Sequence, residues 1–270
     1  MYKKIDPIPN MTNAFDVKDK NVVVTGGNRG IGKGIATAFA QSGANVIILC
    51  RNQESGQEVV DSFAQYGGTY ACFQCDISDI DSAEAAAAKV YEMFDHVDTL
   101  VNNAGVATKT PFLAPDKAGL KEWHRVINTN LHGPANMIYS IVPKMIEADL
   151  GGNVINISST GGQRVSNAKS HPNAPYNASK AALDMFTKHL AAVLGDNRIR
   201  VMSIAPGPTH SDLDKDLPPE FLQMVEDKLP AHRFGEAIEI GALCVFLSSP
   251  AGVQLTGSII NHDGGIIVAG

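Results

Sequence analysis

Short runs of apolar, mostly β-branched residues alternate along the chain with longer segments of helical periodicity. The apolar runs predict strands at Asn21–Thr25, Asn45–Cys50, Thr69–Cys75, Thr99–Asn102, Asn153–Ser158, Arg200–Ile204 and Ser258–Asn261. The clearest helical segments are Gly30–Gln41, Ser82–Phe94, Tyr176–Leu194 and Glu236–Leu247. Because the apolar runs are separated by helices, the pattern predicts a parallel sheet with helices on both faces. The predicted fold class is α/β, with a doubly wound sheet of about seven strands.

The chain of 270 residues is long enough for one large domain with a substantial core. It contains no internal repeat, low-complexity tract or long Pro/Gly-rich linker that would divide it. The sequence therefore predicts a single domain over residues 21–270, preceded by an N-terminal extension over residues 1–20.

The formal net charge is −6, and the sequence has no block of basic residues. Nucleic acids and anionic membranes bind to clustered Lys and Arg, so neither is expected as a partner. A small anionic ligand needs only one or two local cations. The first twenty residues lack the apolar core of a signal peptide, and no apolar run approaches the ~20 residues of a membrane span. The expected location is the cytoplasm.

Two of the four cysteines, Cys72 and Cys75, form a C-x-x-C pattern within a predicted strand. No second cysteine pair and no suitably spaced histidine accompanies them, so the sequence predicts no metal site. We expect ordinary thiols.

A glycine-rich loop follows the first predicted strand and leads directly into a helix. Glycines at Gly26, Gly30 and Gly32 permit a tight turn and a close approach of a pyrophosphate to the backbone. The helix N-terminus adds free N–H donors and the positive end of its dipole. A tight strand-to-helix turn with no ligand is the alternative, but the position of the loop favours a dinucleotide site. Its predicted cofactor-binding residues are Gly26, Asn28, Arg29, Gly30, Ile31 and Gly32.

The end of the second strand indicates which dinucleotide binds. An NAD site commonly has an acidic residue there, whereas this chain has Arg51 and Asn52. Arg51 can present a planar fork to a 2′-phosphate, and Arg29 can reach the same group. Either arginine alone could be a solvated surface charge. Both together, with no acid at this position, predict NADP(H).

The third predicted strand ends at Asp76 and Ile77, which we expect to contact the adenine ring. Asp76 could instead act as a turn or helix-capping residue.

Three further segments carry a resemblance to a known family. They are Asn102-Asn103-Ala104-Gly105 after the fourth strand, Ser158-Ser159 after the fifth, and Tyr176-Asn177-Ala178-Ser179-Lys180 at the start of a long helix. With the glycine loop, Asn130, Pro206-Gly207 and Asp263-Gly264-Gly265, they resemble the short-chain dehydrogenase/reductase superfamily over roughly residues 15–265. The resemblance implies a Rossmann-like fold and a homotetramer or homodimer, with assembly through the long helix and the C-terminal strand.

The resemblance also implies a catalytic set of Asn130, Ser159, Tyr176 and Lys180. Tyr176 would exchange a proton with the substrate oxygen, although an unperturbed phenol has a pKa near 10. Lys180 lies four residues later on the same helical face, and we expect its ammonium to lower that pKa. Ser159 would polarise the carbonyl, with Ser158 in reserve, and Asn130 would hold a water that links Lys180 to solvent.

The remaining cofactor contacts rest on the same resemblance. Asn103, Ala104 and Gly105 would line the cofactor groove, and Tyr176 and Lys180 would also contact the nucleotide. Pro206, Gly207, Thr209 and Ser211 would face the nicotinamide, although the family commonly has Thr at the position of Ser211.

The substrate is less defined than the reaction. Residues 160–175 are a few positions longer than is common in the family, and the excess is polar. The segment Leu213–Leu229 predicts an amphipathic lid, or a helix that packs on a neighbouring subunit. We expect an alcohol or ketone substrate and favour a hydroxysteroid or cyclic alcohol. A ketose, polyol, sugar acid or 3-oxoacyl thioester is the alternative, and a non-catalytic NADP(H)-sensing regulator is the alternative from a different class.

Overall fold

A computed structural model describes residues 11–165, 173–210 and 218–269 of the chain. Seven parallel strands form one sheet in the order β3-β2-β1-β4-β5-β6-β7. The strands are β1 (Asn21–Thr25), β2 (Asn45–Cys50), β3 (Tyr70–Gln74), β4 (Thr99–Asn102), β5 (Gly152–Ile157), β6 (Ile199–Pro206) and β7 (Ile259–His262). The strand order reverses between β1 and β4, which is typical of a doubly wound, Rossmann-like sheet. The predicted α/β class is confirmed.

Helices connect the strands and cover both faces of the sheet. They are α1 (Gly30–Gln41), α2 (Gln53–Asp61), α3 (Ile80–Met93), α4 (Ala118–Ile127), α5 (Gly133–Ala148), α6 (Ala174–Leu194), α7 (Pro219–Glu226) and α8 (Ala237–Ser248). Within the described residues, none of the helices is long and apolar enough to cross a membrane.

Alternation along the strands divides the core into two layers. In β1, Val22 and Val24 point into a cluster with α1, α2 and α8, whereas Val23 points into a cluster with α3, α5 and α6. Helices α1 and α8 approach each other closely at Gly34, where an added Cβ would lie 2.4 Å from the Ala237 carbonyl carbon. The sheet is therefore buried on both sides, as its almost continuous apolar strands predict.

The described part of the N-terminal extension packs against the domain. Ala14 and Val17 are buried, and the carbonyl of Ala14 accepts a hydrogen bond from the amide of Ala251, just beyond α8. The ring of Phe15 lies 6.2 Å from that of Phe246. Residues 11–20 thus contribute apolar contacts to the α8 side of the core.

All four cysteines are free and buried, as expected for ordinary thiols. The close sulfur pair is Cys50 and Cys72, whose Sγ atoms lie 3.6 Å apart on neighbouring strands. The sulfur atom paired with Cys72 is therefore that of Cys50 and not that of Cys75, its partner in the C-x-x-C pattern. No cluster of three or more metal-ligating side chains occurs in the described part of the chain.

Candidate active site at the carboxyl edge of the sheet

The glycine loop after β1 depends on two close backbone approaches. Gly26 has φ +66° and donates its amide to the carbonyl of Leu49 at 2.7 Å. An added Cβ on Gly32 would lie 2.2 Å from the oxygen of Gly26, so no larger residue fits there. Gly30 has φ +50°, and open space lies where its Cβ would be. The loop is therefore tightly packed at Gly32 and open to space at Gly30.

Side chains from β1 and β4 brace this loop from below. The hydroxyl of Thr25 accepts the amides of Asn103 at 3.0 Å and Ala104 at 3.1 Å. The side-chain nitrogen of Asn103, Nδ2, donates to the main-chain carbonyls of Thr25 at 2.9 Å and Gly26 at 3.3 Å. Asn103 thus supports the cofactor loop through hydrogen bonds to its backbone, and the neighbouring Gly105 is exposed. Thr25 was not among the predicted site residues, although it directly precedes the glycine motif.

The N-terminus of α1 has the features of an anion site. Arg29, its N-cap residue, is extended with φ −158°, and no side chain caps the first turn. The free N–H groups and positive dipole end of α1 are thus directed toward the open side of the glycine loop. This arrangement fits the pyrophosphate of a dinucleotide, which would lie on the backbone of the loop. Ile31, in the first turn, is half-buried and packs on the core behind the loop.

The two predicted 2′-phosphate contacts lie in different loops, with Arg29 at the start of α1 and Arg51 after β2. Arg29 and Arg51 are both exposed. Asn52 caps α2 by accepting the amide of Ser55 at 3.1 Å, and Asn28 donates to the hydroxyl of Ser55 at 2.9 Å. Ser55, which the sequence did not single out, therefore joins the glycine loop to the start of α2.

Asp76 and Ile77 stand at the end of β3. The carboxylate of Asp76 accepts the hydroxyl of Ser78 at 2.6 Å and its amide at 3.0 Å, forming a local turn before α3. These bonds, together with the charge of Arg51, lower the pKa of Asp76. Ile77 is buried, and its side chain packs on Gly133, where an added Cβ would lie 2.5 Å from the Ile77 Cδ1 atom.

Tyr176 and Ser159 meet at the carboxyl edge of β5. A Cβ added to Gly161 would lie 3.3 Å from Oγ of Ser159 and 3.5 Å from a ring carbon of Tyr176, and the hydroxyl of Ser159 accepts the amide of Gly161 at 3.0 Å. Ser158 takes a different direction, because its buried hydroxyl donates to the carbonyl of Lys180 at 3.3 Å. Of the two serines, Ser159 is therefore the one beside the tyrosine.

Lys180 lies one helical turn after Tyr176 and is 4% exposed. Its Nζ is 5.6 Å from the centroid of the Tyr176 ring and donates to the carbonyl of Ile157 at 2.6 Å. An ammonium has three donors, so two N–H groups remain for other partners. The strand-end carbonyl holds the ammonium at the edge of the site.

Asn130 lies fully buried in a π-helical turn, Asn128–His132, between α4 and α5. Its amide accepts the N–H of Val106 and donates to the carbonyl of Val106, both at 2.8 Å, and also donates to the hydroxyl of Ser179 at 3.1 Å. Ser179 in turn donates to the carbonyl of Tyr176 at 2.7 Å. Asn130 therefore ties the loop after β4 to the first turns of α6. A π-turn in a helix often marks a functional site.

The side chains of Asn130 and Lys180 both lie close to Gly105. An added Cβ on Gly105 would be 3.4 Å from Oδ1 of Asn130 and 3.7 Å from Nζ of Lys180. One lone pair of Oδ1 is not used by the hydrogen bond from Val106. The expected water relay would depend on this lone pair or on the main-chain carbonyl of Asn130.

The pKa shifts differ from the expectation for Tyr176. Burial raises the pKa of Tyr176, and the hydrogen bond with Ser159 opposes that shift. The predicted lowering by Lys180 is wrong for the protein by itself, because removal from water penalises the phenolate more than the neighbours stabilise it. Burial also lowers the pKa of Lys180 to about 8, and the charge of Asp184 opposes the shift.

Asp184 is a buried carboxyl that sequence reasoning missed. It follows Tyr176 and Lys180 at the same four-residue interval on α6 and is 8% exposed. Its Oδ1 accepts the hydroxyl of Ser203 on β6 at 2.9 Å. Burial raises the pKa of Asp184. The repeated spacing of four was the available signal, because it places all three side chains on one helical face.

The loop after β6 closes the site beside the C-terminal turn. The amide of Gly207 donates to the carbonyl of His262 at 3.0 Å, and an added Cβ on Gly207 would lie 2.7 Å from the Cα of Asp263. Pro206 is buried as the last residue of β6, and the hydroxyl of Thr209 donates to the carbonyl of Gly207 at 3.1 Å.

Three predictions lie wholly or partly outside the described residues. Ser211, residues 166–172 of the long loop, and the first part of the expected lid, residues 213–217, lie outside the described residues. The later part of that lid is helix α7, where Phe221 and Leu222 are half-buried.

Comparison with known proteins gives consistent matches over nearly the whole chain. A family model described as Enoyl-(Acyl carrier protein) reductase matches residues 26–267. The 3-oxoacyl-(acyl-carrier-protein) reductase FabG of Thermotoga maritima is 31% identical over 252 residues, which cover 93% of this chain and 99% of that protein.

Solved structures agree with the sequence matches. A short-chain type dehydrogenase/reductase from Mycobacterium marinum superposes with a TM-score of 0.87 at 31% identity, covering 94% of this chain and 98% of that one. The Pseudomonas aeruginosa RhlG/NADP active-site complex superposes with a TM-score of 0.86 at 30% identity, covering 95% and 99%.

The family model, the curated relatives and the solved structures thus match this chain over nearly its whole length. The chain belongs to the short-chain dehydrogenase/reductase superfamily, whose members are oxidoreductases that use a nicotinamide nucleotide.

Proposed function

We propose that the protein is an NADP(H)-dependent oxidoreductase that interconverts a secondary alcohol and a ketone, with Tyr176 as the acid/base group. The observation that carries this proposal is the cluster at the carboxyl edge of β5. There the hydroxyl of Ser159 lies beside the ring of Tyr176, and Nζ of the buried Lys180 lies 5.6 Å from the centroid of that ring. Hydride transfer to a ketone leaves an alkoxide that needs a proton, and a phenol can supply it.

Each member of the cluster has a distinct task. Ser159 donates a hydrogen bond to the substrate oxygen and stabilises the negative charge that develops there. Tyr176 gives its proton to that oxygen in reduction and takes it back in oxidation. Lys180 holds a positive charge one helical turn from Tyr176, at the edge of the site, through its hydrogen bond to the carbonyl of Ile157. The nicotinamide supplies or accepts the hydride.

The NADP(H) preference rests on the end of β2. Arg29 directly precedes α1 and Arg51 directly follows β2, both are exposed, and neither of the two residues after β2, Arg51 and Asn52, is acidic. Hydrogen bonds to charged groups contribute about 1.5–3 kcal/mol each, enough for roughly ten- to hundredfold discrimination. The RhlG/NADP complex is a relative whose structure contains this nucleotide.

Among the candidate substrates, the comparisons favour a 3-oxoacyl thioester. FabG, named as a 3-oxoacyl-(acyl-carrier-protein) reductase, matches almost the full length of this chain. The half-buried apolar side chains of Phe221 and Leu222 on α7 support a second candidate, a hydroxysteroid or another bulky cyclic ketone. Both substrates undergo the same chemistry at the same tyrosine.

The test is consumption of NADPH, followed by absorbance at the nicotinamide band, against a panel of substrates. The panel contains an acetoacetyl thioester, a 3-ketosteroid, a ketose, a sugar acid and a small cyclic ketone. We expect the acetoacetyl thioester to give the highest kcat/KM, and a higher value for the steroid would make the second candidate correct. If NADPH binds but no member of the panel is reduced, the non-catalytic regulator becomes the better description.

Assembly into a homodimer or homotetramer is part of the same proposal. Large apolar side chains are exposed on two adjacent helices, with Tyr139 of α5 at 69%, Met185 of α6 at 64% and Val193 of α6 at 55%. Exposed apolar groups of this size favour burial against a second copy. Light scattering of the purified protein distinguishes one, two and four chains.

A further inference from the structure

Helix α6 carries a buried carboxyl that the reaction proposed above does not use. Asp184 lies one helical turn after Lys180, which itself lies one turn after Tyr176, so the three side chains share one face of the helix. Asp184 is 8% exposed and Lys180 is 4% exposed. Ionised groups are rarely buried to this extent unless they have partners, because removal of a charge from water costs free energy.

The two side chains are held by neighbouring strands. Nζ of Lys180 donates to the main-chain carbonyl of Ile157 on β5 at 2.6 Å. Oδ1 of Asp184 accepts the hydroxyl of Ser203 on β6 at 2.9 Å. Ser203 is paired with Asn156, the residue before Ile157, so the two anchoring positions differ by one residue in register. Because side chains four residues apart on a helix are neighbours, the cation and the carboxyl lie close together over the same two strands.

Few charged groups surround this pair. Within the described residues, the charges that act on Asp184 are those of Lys180 and of the exposed Lys188, both on α6. The charge that acts on Lys180 is that of Asp184. The elements packed on this face of α6 contribute the neutral side chains of Ser158 after β5, Ser203 on β6 and Asn130 in the π-turn, and the titratable neighbour on α6 itself is Tyr176.

Burial acts on both groups in the direction that removes their charges. It lowers the pKa of Lys180 to about 8, and the charge of Asp184 opposes this fall. It raises the pKa of Asp184, and the hydrogen bond from Ser203 and the charges of Lys180 and Lys188 oppose this rise. Each group therefore favours the ionised form of the other, and their burial limits the screening of this attraction by salt.

We propose that Asp184 is a positioning residue of the catalytic site, whose buried carboxylate keeps the ammonium of Lys180 charged beside Tyr176. This inference rests on the proposed function, in which Tyr176 is the acid/base group and Lys180 is the cation next to it. Asp184 acts through Lys180 and not on the substrate. Without the carboxylate, burial alone would act on Lys180, and the ammonium would lose its proton at a lower pH.

The first test measures the protonation of Lys180 in the absence of substrate and cofactor. The free energy of unfolding in urea is measured from about pH 6 to pH 10.5 for two pairs of proteins. One pair is the wild type and Lys180→Met, and the other is Asp184→Asn with and without Lys180→Met. Asparagine keeps an oxygen that accepts the Ser203 hydroxyl but carries no charge.

The expected result is a shift in the pH at which the two members of a pair diverge. Lys180 has a lower pKa in the folded chain than in the unfolded chain, so the difference within a pair rises with pH above the folded-state pKa. In the wild-type pair the rise begins near pH 8. In the Asp184→Asn pair we expect it to begin about one pH unit lower, which is a tenfold weaker proton affinity of Lys180.

Thr187→Val is the matched control. Thr187 is a fully buried residue of α6, and its hydroxyl accepts the side-chain amide of Asn156 at 2.9 Å. The substitution removes a buried hydrogen bond near Asp184 but no charge, so we expect lower stability and an unchanged onset of the rise. An unchanged onset in Asp184→Asn would overturn the proposal, and so would an equal shift in Thr187→Val.

A second neutral variant, Asp184→Ala, replaces Asp184→Asn in the same comparison if the asparagine variant does not fold. Far-UV circular dichroism at pH 7 reports folding. Failure of both variants to fold, under conditions in which Thr187→Val folds, would show that the carboxyl is required for the fold itself and would also overturn the proposal.

Turnover provides the second measurement and separates this inference from the proposed function. With the best substrate of the panel, we expect Asp184→Asn to lower kcat about tenfold at pH 9 and less than about twofold at pH 6, because Lys180 is mostly protonated in both proteins at the lower pH. An equal loss at both pH values would contradict the role of Asp184. If the wild type reduces no member of the panel, the proposed function fails, and the unfolding comparison still decides whether Asp184 keeps Lys180 charged.

Discussion

The nucleotide half of the site, built on β1 and β2, and the catalytic half, built on β4 to β6 and α6, hold their charges differently. Arg29 and Arg51 of the nucleotide half are exposed to solvent. Lys180 and Asp184 of the catalytic half are 4% and 8% exposed and are held by hydrogen bonds to β5 and β6. Water screens the first pair, whereas the second pair interacts through a medium of lower dielectric. Substitutions in the nucleotide half should therefore change affinity modestly, and those in the catalytic half should change turnover strongly.

Tyr176→Phe should have the largest effect. Removing the hydroxyl leaves the ring, its packing and the helix in place but deletes the proton donor. We expect kcat to fall about a thousandfold or more, because no other phenol takes part in the cluster, while NADPH binding changes little. Steady-state rates and a fluorescence titration with NADPH measure the two quantities. Retention of a tenth of the wild-type rate would defeat the assignment of Tyr176.

The serine pair tests the geometry within the catalytic half. Ser159→Ala removes the hydroxyl beside Tyr176, and we expect a fall in kcat of about 10²- to 10³-fold. Ser158→Ala is its matched control. The Ser158 hydroxyl points to the Lys180 carbonyl, so we expect only a few-fold change in kcat. The opposite order of effects would assign carbonyl polarisation to Ser158.

The buried charge of Lys180 should appear in the pH dependence of stability. Its pKa falls from 10.5 to about 8 on folding, so between these values the unfolded chain binds more protons than the folded one. The free energy of unfolding of the wild type, relative to Lys180→Met, should therefore rise between pH 8 and 10.5, by up to about 3 kcal/mol, and stay flat below pH 8. Urea unfolding at pH 7 and pH 10 measures the difference. A constant difference would show that the lysine is not desolvated.

Arg51→Ala should have the smallest effect and should act on binding. We expect KM for NADPH to rise about ten- to hundredfold, with little change in kcat or in KM for NADH. Arg125→Ala, which removes an exposed arginine of α4, is the control for a general change in charge. Equal changes in both Michaelis constants would place the 2′-phosphate elsewhere.

Sequence reasoning was most successful for features that depend on local backbone geometry, namely the glycine loop and the bounds of three strands. The glycine motif predicted a tight turn, and the structure has one, with positive φ at Gly26 and Gly30 and with Gly32 packed on the oxygen of Gly26. The strands β1, β2 and β4 begin and end as predicted, because their apolar runs are bounded by polar or glycine residues. Local patterns of this kind depend on residues that are neighbours in the chain.

It was least successful for groups whose neighbours come from distant segments. The bracing of the loop by Thr25, the link through Ser55 and the buried Asp184 each join different elements. The direction of the Tyr176 pKa shift belongs to this class as well. Spacing places Lys180 near the tyrosine, but desolvation depends on everything packed around both side chains.

By itself, then, the sequence determined the α/β class, the family and the set of polar residues at the strand ends, because periodicity and short motifs are local properties of the chain. Only the tertiary structure decided which hydroxyl of the serine pair lies beside Tyr176, which groups Asn130 hydrogen-bonds, and that the carboxyl of Asp184 is buried. These depend on distances between segments that lie far apart in the chain, and on the removal of water from the space between them.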